Sequence, residues 1–351
     1  MVRKPDIRKE MRQMITIVVV GWIMGTCYPL LADEPGDWRA LINGTSIGLL
    51  GGILVAFFET RLFVNHRRKG YFLAVVLGKT LSYLVVFAAL ILFVKSAVDS
   101  LFQGTPYLEY LSGPEFRHFL TEEDFPIILA YTFFVLLAII FTRQMSRKMG
   151  PGVLFNFITG KYHQPRETER IFMFVDLCDS TRLAETLGDI QYHRLLNSFF
   201  WDITTSVVQG KGEIYRYVGD QVVIAWKPEK GLHEARCIRT YYSIREELSR
   251  QASKYLRQYG VEPAFRASCH IGKVVAGEMG NVKSQIVYIG DTLYVAGEIE
   301  KKCRALNSGF IVSEALVQRL PPQRGLFFQP LGRLPLEGRE NGIALLAPAL
   351  V

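Results

Sequence analysis

Paired cysteines are missing from this chain. Its five cysteines, Cys27, Cys178, Cys237, Cys269 and Cys303, lie far apart with no C-x-x-C among them, which excludes a zinc ribbon, a thioredoxin-type dithiol and a disulfide-dense secreted scaffold. Charge is scarce as well. Only 21% of the 351 residues are Asp, Glu, Lys or Arg, against 49% hydrophobic. That balance excludes an intrinsically disordered chain and is too apolar for a wholly soluble one. There is no internal repeat, no low-complexity tract and no nucleic-acid-binding motif to accompany the formal charge of +8.

What is present is unevenly spread. Residues 14–31, 41–64, 71–98 and 126–142 are apolar runs, and about 20 such residues cross the hydrocarbon core of a bilayer. Residues 127–141 are apolar almost all round, whereas a soluble helix alternates an apolar with a polar face. The pattern predicts a domain of four transmembrane helices in residues 1–143. A cleaved signal peptide is not expected, because residues 14–31 lack a small-residue cleavage site and three further runs follow.

Lys and Arg then set the orientation. Arg3, Lys4, Arg8, Lys9 and Arg12 precede the first run, Arg67, Arg68 and Lys69 separate the second from the third, and Arg143, Arg147 and Lys148 follow the fourth. Cytoplasmic loops carry such an excess, so a multi-pass protein of the inner (plasma) membrane is expected, with its N-terminus and everything after Lys148 in the cytoplasm. These clusters facing anionic headgroups account for much of the +8 without nucleic acid. Glu59, Arg61 and Lys79 are ionisable residues within the runs; snorkelling or a Glu59–Lys79 pair near the cytoplasmic side accommodates them.

Gly150, Pro151, Gly152, Gly160 and Pro165 punctuate residues 144–169, a coupling linker. From residue 170 to 351 the pattern is α+β. Residues 171–177, 213–218, 221–226, 265–271 and 285–289 read as strands, and 181–208, 233–259 and 292–306 as helices. Asp176 stands at a strand end before a helix opening at Ser180-Thr181, and Asp220 follows Gly219 at a hairpin tip. Carboxylates from adjacent strands can converge on Mg²⁺, and a helix N-terminus offers amides to phosphates. Taken singly, each is more commonly a helix cap or a plain turn.

Together they are more specific. Phe174-Val-Asp176-Leu-Cys-Asp-Ser-Thr-Arg-Leu-Ala-Glu and Tyr215-Arg-Tyr-Val-Gly-Asp220 resemble the two metal motifs of class III nucleotidyl cyclases. His270-Ile-Gly272-Lys-Val-Val-Ala-Gly277-Glu-Met-Gly280 is similar to that family's glycine-containing hairpin, Ile286-Val-Tyr-Ile-Gly290-Asp-Thr-Leu-Tyr-Val-Ala to its strand-to-helix segment, and Gln329-Pro-Leu-Gly-Arg-Leu-Pro-Leu-Glu-Gly to its closing strands. The resemblance implies a ferredoxin-like catalytic domain, active as a head-to-tail homodimer with sites at the interface. It implies two Mg²⁺ or Mn²⁺ ions per active site on Asp176 and Asp220, and phosphates cradled by Leu177, Cys178, Asp179, Ser180 and Thr181. One ion would activate the ribose 3′-hydroxyl and the other would bridge the triphosphate. The implied protein is a bacterial membrane-anchored adenylate cyclase that converts ATP to 3′,5′-cyclic AMP and pyrophosphate.

Four positions depart from the family pattern. Arg216 and Val287 stand where the family reads adenine with Lys and with Asp or Thr. Tyr294 and Glu298 stand where it holds the ribose with Asn and stabilises the transition state with Arg. Tyr294 offers a hydroxyl in place of the amide, and Lys301 or Lys302, on the same helical face, is expected to pair with Glu298 and supply part of the missing positive charge. Lys273 and Lys283 flank the glycine hairpin as weaker phosphate candidates, while His270, Tyr215 and Tyr217 read as packing residues. A cyclase for another nucleoside triphosphate, or a membrane receptor that keeps the fold with weakened chemistry, are the alternatives.

Overall fold

The computed structural model describes residues 7–32, 38–61, 71–121, 124–150, 153–335 and 342–350. The chain divides into two compact units, Met1–Lys148 and Met149–Val351. In the first, a helix runs through the described part of each predicted run, residues 62–64 lying outside the described residues: α1 (Ile7–Ala32), α2 (Trp38–Arg61), α3 (Phe72–Gln103) and α6 (Asp124–Met149), with short α4 (Tyr107–Ser112) and α5 (Pro114–Thr121) between the last two. Three of them, through Trp38–Glu59, Phe72–Gln103 and Phe125–Ser146, are long and apolar enough to cross a membrane. The apolar part of α1 is shorter, Met14–Leu30, because its first turns are occupied by charged residues. Helix α3 outruns its predicted end. Lys95 donates to Asp99 Oδ2 at 3.0 Å and the Tyr110 hydroxyl donates to the same oxygen at 2.9 Å, so an acid expected in an outer loop is held inside the helix.

Glycines decide how α1 meets α2. A Cβ on Gly48 would lie 2.5 Å from the Gly21 carbonyl oxygen, and one on Gly25 would lie 2.4 Å from that of Gly44. Both obstacles are backbone and cannot give, so the backbones approach as only small residues at fourfold spacing allow. The expected intramembrane pair forms: Lys79 donates to Glu59, and the Tyr83 hydroxyl donates to the same carboxylate at 3.1 Å. The Arg61 side chain, the basic stretch 67–69 and residues 336–341 lie outside the described residues.

In the second unit, α7 (Val153–Ile158) is followed by β1 (Arg166–Leu177), α8 (Ser180–Leu187), α9 (Asp189–Gln209), β2 (Glu213–Val218) and β3 (Gln221–Trp226). Then come α10 (Pro228–Gly231), a 3₁₀ turn, α11 (Arg236–Tyr259), β4 (Phe265–Met279), β5 (Gln285–Ile289) and α12 (Asp291–Ala305). Finally β6 (Phe310–Ser313), α13 (Glu314–Val317), β7 (Leu326–Leu334) and β8 (Ile343–Leu350) close the fold. The strand order is β2-β3-β1-β4-β6-β8-β7, with β5 beside β4. Only β4 and β6 run parallel among the pairs formed. The mixed α+β sheet is the one expected.

Strand β1 has no solvent face, hence its near-continuous apolar run. Ile171, Met173 and Val175 face Phe199, Ile203, Ile238 and Ile244 of α9 and α11, while Phe172 and Phe174 face the layer of Val223, Val274 and Ala296. Two local readings are corrected. The single helix expected over residues 181–208 breaks at Gly188, whose φ of 70° favours glycine, and β1 begins five residues early. Residues 166–170 are polar, but they pair with Ala276 through Gly272 of β4, so the partner strand rather than an apolar pattern makes them extended.

Candidate active site

Antiparallel register assembles the carboxylates. Asp176, near the end of β1, stands opposite Gln221 of β3 and Arg266 of β4, and Asp220 immediately precedes Gln221 in the β2–β3 turn after Gly219. Burial and the nearby Asp220 carboxylate hold the Asp176 carboxyl above its ordinary value, against Arg266 and Arg304. The Arg266 guanidinium lies 3.9 Å from Asp176 Oδ2, and its buried Nε has no hydrogen-bond partner among the described residues.

The loop after Asp176 turns sharply into α8. Asp179 adopts the left-handed conformation at φ 56° and no side chain caps the helix, so amides of the first turn are available to an anion. The Cys178 amide is not among them, since it donates to the Ala264 carbonyl at 2.8 Å, and Leu177 remains in the β1–β4 ladder. The expected cradle therefore narrows to Asp179, Ser180 and Thr181.

Tyr192, Arg266, Glu300 and Arg304 join this group without having been read from the sequence. The Tyr192 hydroxyl on α9 lies near Ser180, and burial, with the fields of Asp220 and Asp176, holds it above its ordinary value. Glu300 on α12 is buried. Burial first, then the Asp176 carboxylate, push its carboxyl up to about 7 against the pull of Arg266. One signal was legible: Glu300 interrupts the apolar stripe Val295, Ala296, Ile299 and Cys303. Arg266 gave none, because only strand pairing sets it opposite Asp176.

The Glu300 shift has a pH consequence. A carboxyl whose folded value, about 7, exceeds its ordinary 4.5 favours the fold while protonated, so stability is lost as pH rises through that interval, by on the order of 3 kcal/mol. Without divalent ions, the melting temperature of the catalytic unit within the full chain is expected to fall between pH 5 and 8. Glu300→Gln should flatten most of that slope; an unchanged slope in calorimetry would refute the assignment.

A second group gathers around Tyr215. Its hydroxyl accepts from the Tyr288 amide at 2.9 Å and from the Arg216 guanidinium, which lies 4.4 Å from its ring centroid. Arg216, exposed, thus meets the Tyr215 hydroxyl, which also receives the amide of the residue after the buried Val287. The β-bulge between Ile214 and Arg216 breaks the strand's alternation. Tyr215 packs on Phe172 and Tyr288, whereas Tyr217 reaches the opposite face, its ring 4.6 Å from that of Phe200.

The third group is the face of α12. Lys301 Nζ donates to Glu298 Oε1 at 2.6 Å, and this carboxylate raises the ammonium above its ordinary value. Tyr294 is 48% exposed. No hydrogen bond or ion pair among the described residues joins Tyr294, Lys301, Lys302, Arg216 or Val287 to Asp176 or Asp220. Lys273 is paired with Glu167 at 2.8 Å, Lys283 is exposed, and His270 is buried with Nδ1 2.7 Å from Ser313 Oγ.

The donor set suits a hard divalent ion shared with substrate. No cluster of three or more His, Cys, Asp or Glu capable of holding a metal occurs among the described residues. Mg²⁺ is commonly held by one or two carboxylates together with substrate phosphates rather than by a complete protein cage. The two mutually repelling carboxylates would be relieved by such an ion.

The family model for the adenylate and guanylate cyclase catalytic domain matches residues 163–346. Adenylate cyclase 2 of Rhizobium meliloti (strain 1021) is 34% identical over 220 residues, 63% of this chain and 61% of that protein. The photoactivated adenylate cyclase subunit alpha of Euglena gracilis is 20% identical over 181 residues, 51% of this chain and 17% of that one. The chain therefore spans less than two thirds of each of these relatives. Among solved structures, a bacterial light-regulated adenylyl cyclase superposes with a TM-score of 0.54 at 21% identity, over 65% of this chain and 66% of that one.

Proposed function

Because the chain belongs to the adenylate and guanylate cyclase family through its catalytic domain, we propose that it is a membrane-anchored adenylate cyclase forming 3′,5′-cyclic AMP and pyrophosphate from ATP. The observation that carries this reading is the register that sets Asp176 beside Asp220, next to the open N-terminus of α8. Asp176 and Asp220 would hold two Mg²⁺ or Mn²⁺ ions, which when bound offset polyphosphate charge and ease ionisation of the attacking 3′-hydroxyl. The amides of Asp179, Ser180 and Thr181 bind phosphate oxygens, and Tyr192 orients Ser180. Arg266 presents its guanidinium to the same anion. Ring closure joins the ribose 3′-oxygen to the α-phosphorus, breaks the bond to pyrophosphate and leaves the hydroxyl proton with solvent.

The groups on α12 and around Tyr215 serve this chemistry across a homodimer. Met279, Val282 and Ile289, around the β4–β5 turn, are large apolar residues left exposed, a surface suited to a second copy. In that arrangement Tyr294 holds the ribose and Lys301 and Lys302 bring positive charge to the partner's site. The first unit spans the membrane four times, α1 included, its short apolar segment held against α2 by the glycine contacts. The loop charges place the catalytic domain, residues 170–351, in the cytoplasm behind a linker over residues 144–169.

Val287 favours a second reading, a cyclase for another base, because its side chain offers no hydrogen bond to an exocyclic amine. Membranes holding the protein, given Mn²⁺ and equimolar ATP, GTP, CTP and UTP, are expected to yield chiefly cyclic AMP by mass spectrometry. Another cyclic nucleotide as main product would select the second reading, and none from folded dimer would leave a receptor that keeps only the fold.

A further inference from the structure

The membrane unit encloses a cavity of about 700 Å³ among α1, α2, α3 and α6. That volume is within the roughly 300–1,000 Å³ of sites that enclose a drug-sized molecule. It is elongated. Its lining on α6 runs from Tyr131 to Arg143, and twelve residues of helix correspond to about 18 Å. Most of its wall is apolar, with Gly21, Gly48 and Ala138 among the residues that leave room. The charged groups of the lining, Glu59 and Arg143, lie at one end with Tyr83, while Tyr131 and Thr132 stand at the other end of the α6 lining.

The carboxylate at that end is already engaged. Glu59 accepts hydrogen bonds from Lys79 and Tyr83 and is also within the field of Arg143, while no hydrogen bond or ion pair of the Arg143 guanidinium occurs among the described residues. Arg143, just past the apolar run, lines the end of an apolar cavity, where a guanidinium is costly unless its charge is met, and it is shaped to bind a carboxylate through two parallel hydrogen bonds. A neutral apolar guest would leave this end unsatisfied, and a cationic one would be repelled by it.

We propose that this cavity binds a single-chain anionic amphiphile of the long-chain carboxylate class, its alkyl chain lying along α6 and its head group on Arg143. The inference rests on the reading of this unit as membrane-embedded and is independent of the catalytic chemistry. A free fatty acid and an anionic bilayer lipid share these features; the single cationic residue in the lining, Arg143, matches one carboxylate and favours the free acid.

The test uses the full chain in phosphatidylcholine nanodiscs, titrated with radiolabelled hexadecanoate. Saturable binding is expected, displaced by unlabelled hexadecanoate but not by hexadecanol or hexadecylamine. Arg143→Gln should weaken it about tenfold or more, and Arg143→Lys, which keeps the charge but loses the paired hydrogen bonds, should weaken it less than Gln does. Ala138→Phe, which fills the apolar part away from the charged end, should remove it. Equal displacement by the alcohol, or an Arg143→Gln variant that melts like the parent and binds as tightly, would overturn the proposal. Loss of binding when phosphatidylglycerol replaces part of the phosphatidylcholine would assign the cavity to a bilayer lipid and overturn the free carboxylate. Retention of the chain in carbonate-washed membranes, scored separately, tells failure of this site from failure of the membrane reading.

Discussion

Asp176→Asn is expected to lower cyclic nucleotide formation by about three orders of magnitude or more while leaving the metal-free fold at least as stable as the parent. Both halves follow from one geometry. The side chain stands in the ladder between β3 and β4, with Arg266 opposite and Asp220 one residue beyond its β3 partner. Burial first, and then repulsion from Asp220, raise the Asp176 carboxyl when no ion is present, and a divalent ion shared by the two carboxylates relieves that repulsion. An amide of the same shape keeps the packing and removes the charge. Since the folded Asp176 carboxyl is raised, its ionised form opposes folding at neutral pH, and the neutral amide relieves that cost. Activity lost with an unchanged or higher melting temperature, measured by product mass spectrometry and calorimetry, separates metal binding from folding. Retained turnover would remove Asp176 from the metal site.

The second large effect is expected on α12. Glu298, which by the sequence resemblance stands where the family carries a transition-state arginine, is paired with Lys301 at 2.6 Å. The Lys301 side chain is 70% exposed and free to follow the carboxylate toward a partner's triphosphate. Replacing Lys301 and Lys302 together by Ala leaves the acid unpaired beside the polyphosphate, and a lost donor of transition-state charge costs on the order of 10²-fold in kcat. KM should change much less, because the charge being stabilised develops during the reaction. Adding Glu298→Gln to the double variant should restore part of the rate, since the repulsion leaves with the acid. Unchanged turnover in the double variant would make these lysines ordinary surface residues.

The juxtaposition of Asp176 and Asp220, the proposed metal ligands, was legible because each sits in a local pattern, a strand end before a helix and a Gly-Asp hairpin tip, that strand geometry carries into space with little freedom. Arg266 was not, since its relation to Asp176 exists only once β1 and β4 pair. The bulge in β2 has the same character: alternation puts Tyr215 and Tyr217 on one face, and one extra residue puts them on opposite faces. Glu300 and the glycines of α1 and α2 lie between these cases. An acid in an apolar stripe and Gly-x-x-x-Gly spacing are visible in the sequence, but what they meet is not.

By itself the sequence determined the division into an apolar helical part and an α+β part, the identity of β1 as a strand buried on both faces, and the placing of Asp176 and Asp220 at a strand end and a hairpin tip. These are set by composition and by periodicity along the chain, which involve near neighbours only. Tertiary structure alone decided which amides of the phosphate loop stay available once Cys178 bonds Ala264. It brought Arg216 and the amide of Tyr288 to the same tyrosine, and gathered Glu59, Tyr83 and Arg143 at one end of a cavity. Those groups come from elements far apart in sequence, and their meeting is fixed by register and helix packing, which no local pattern records.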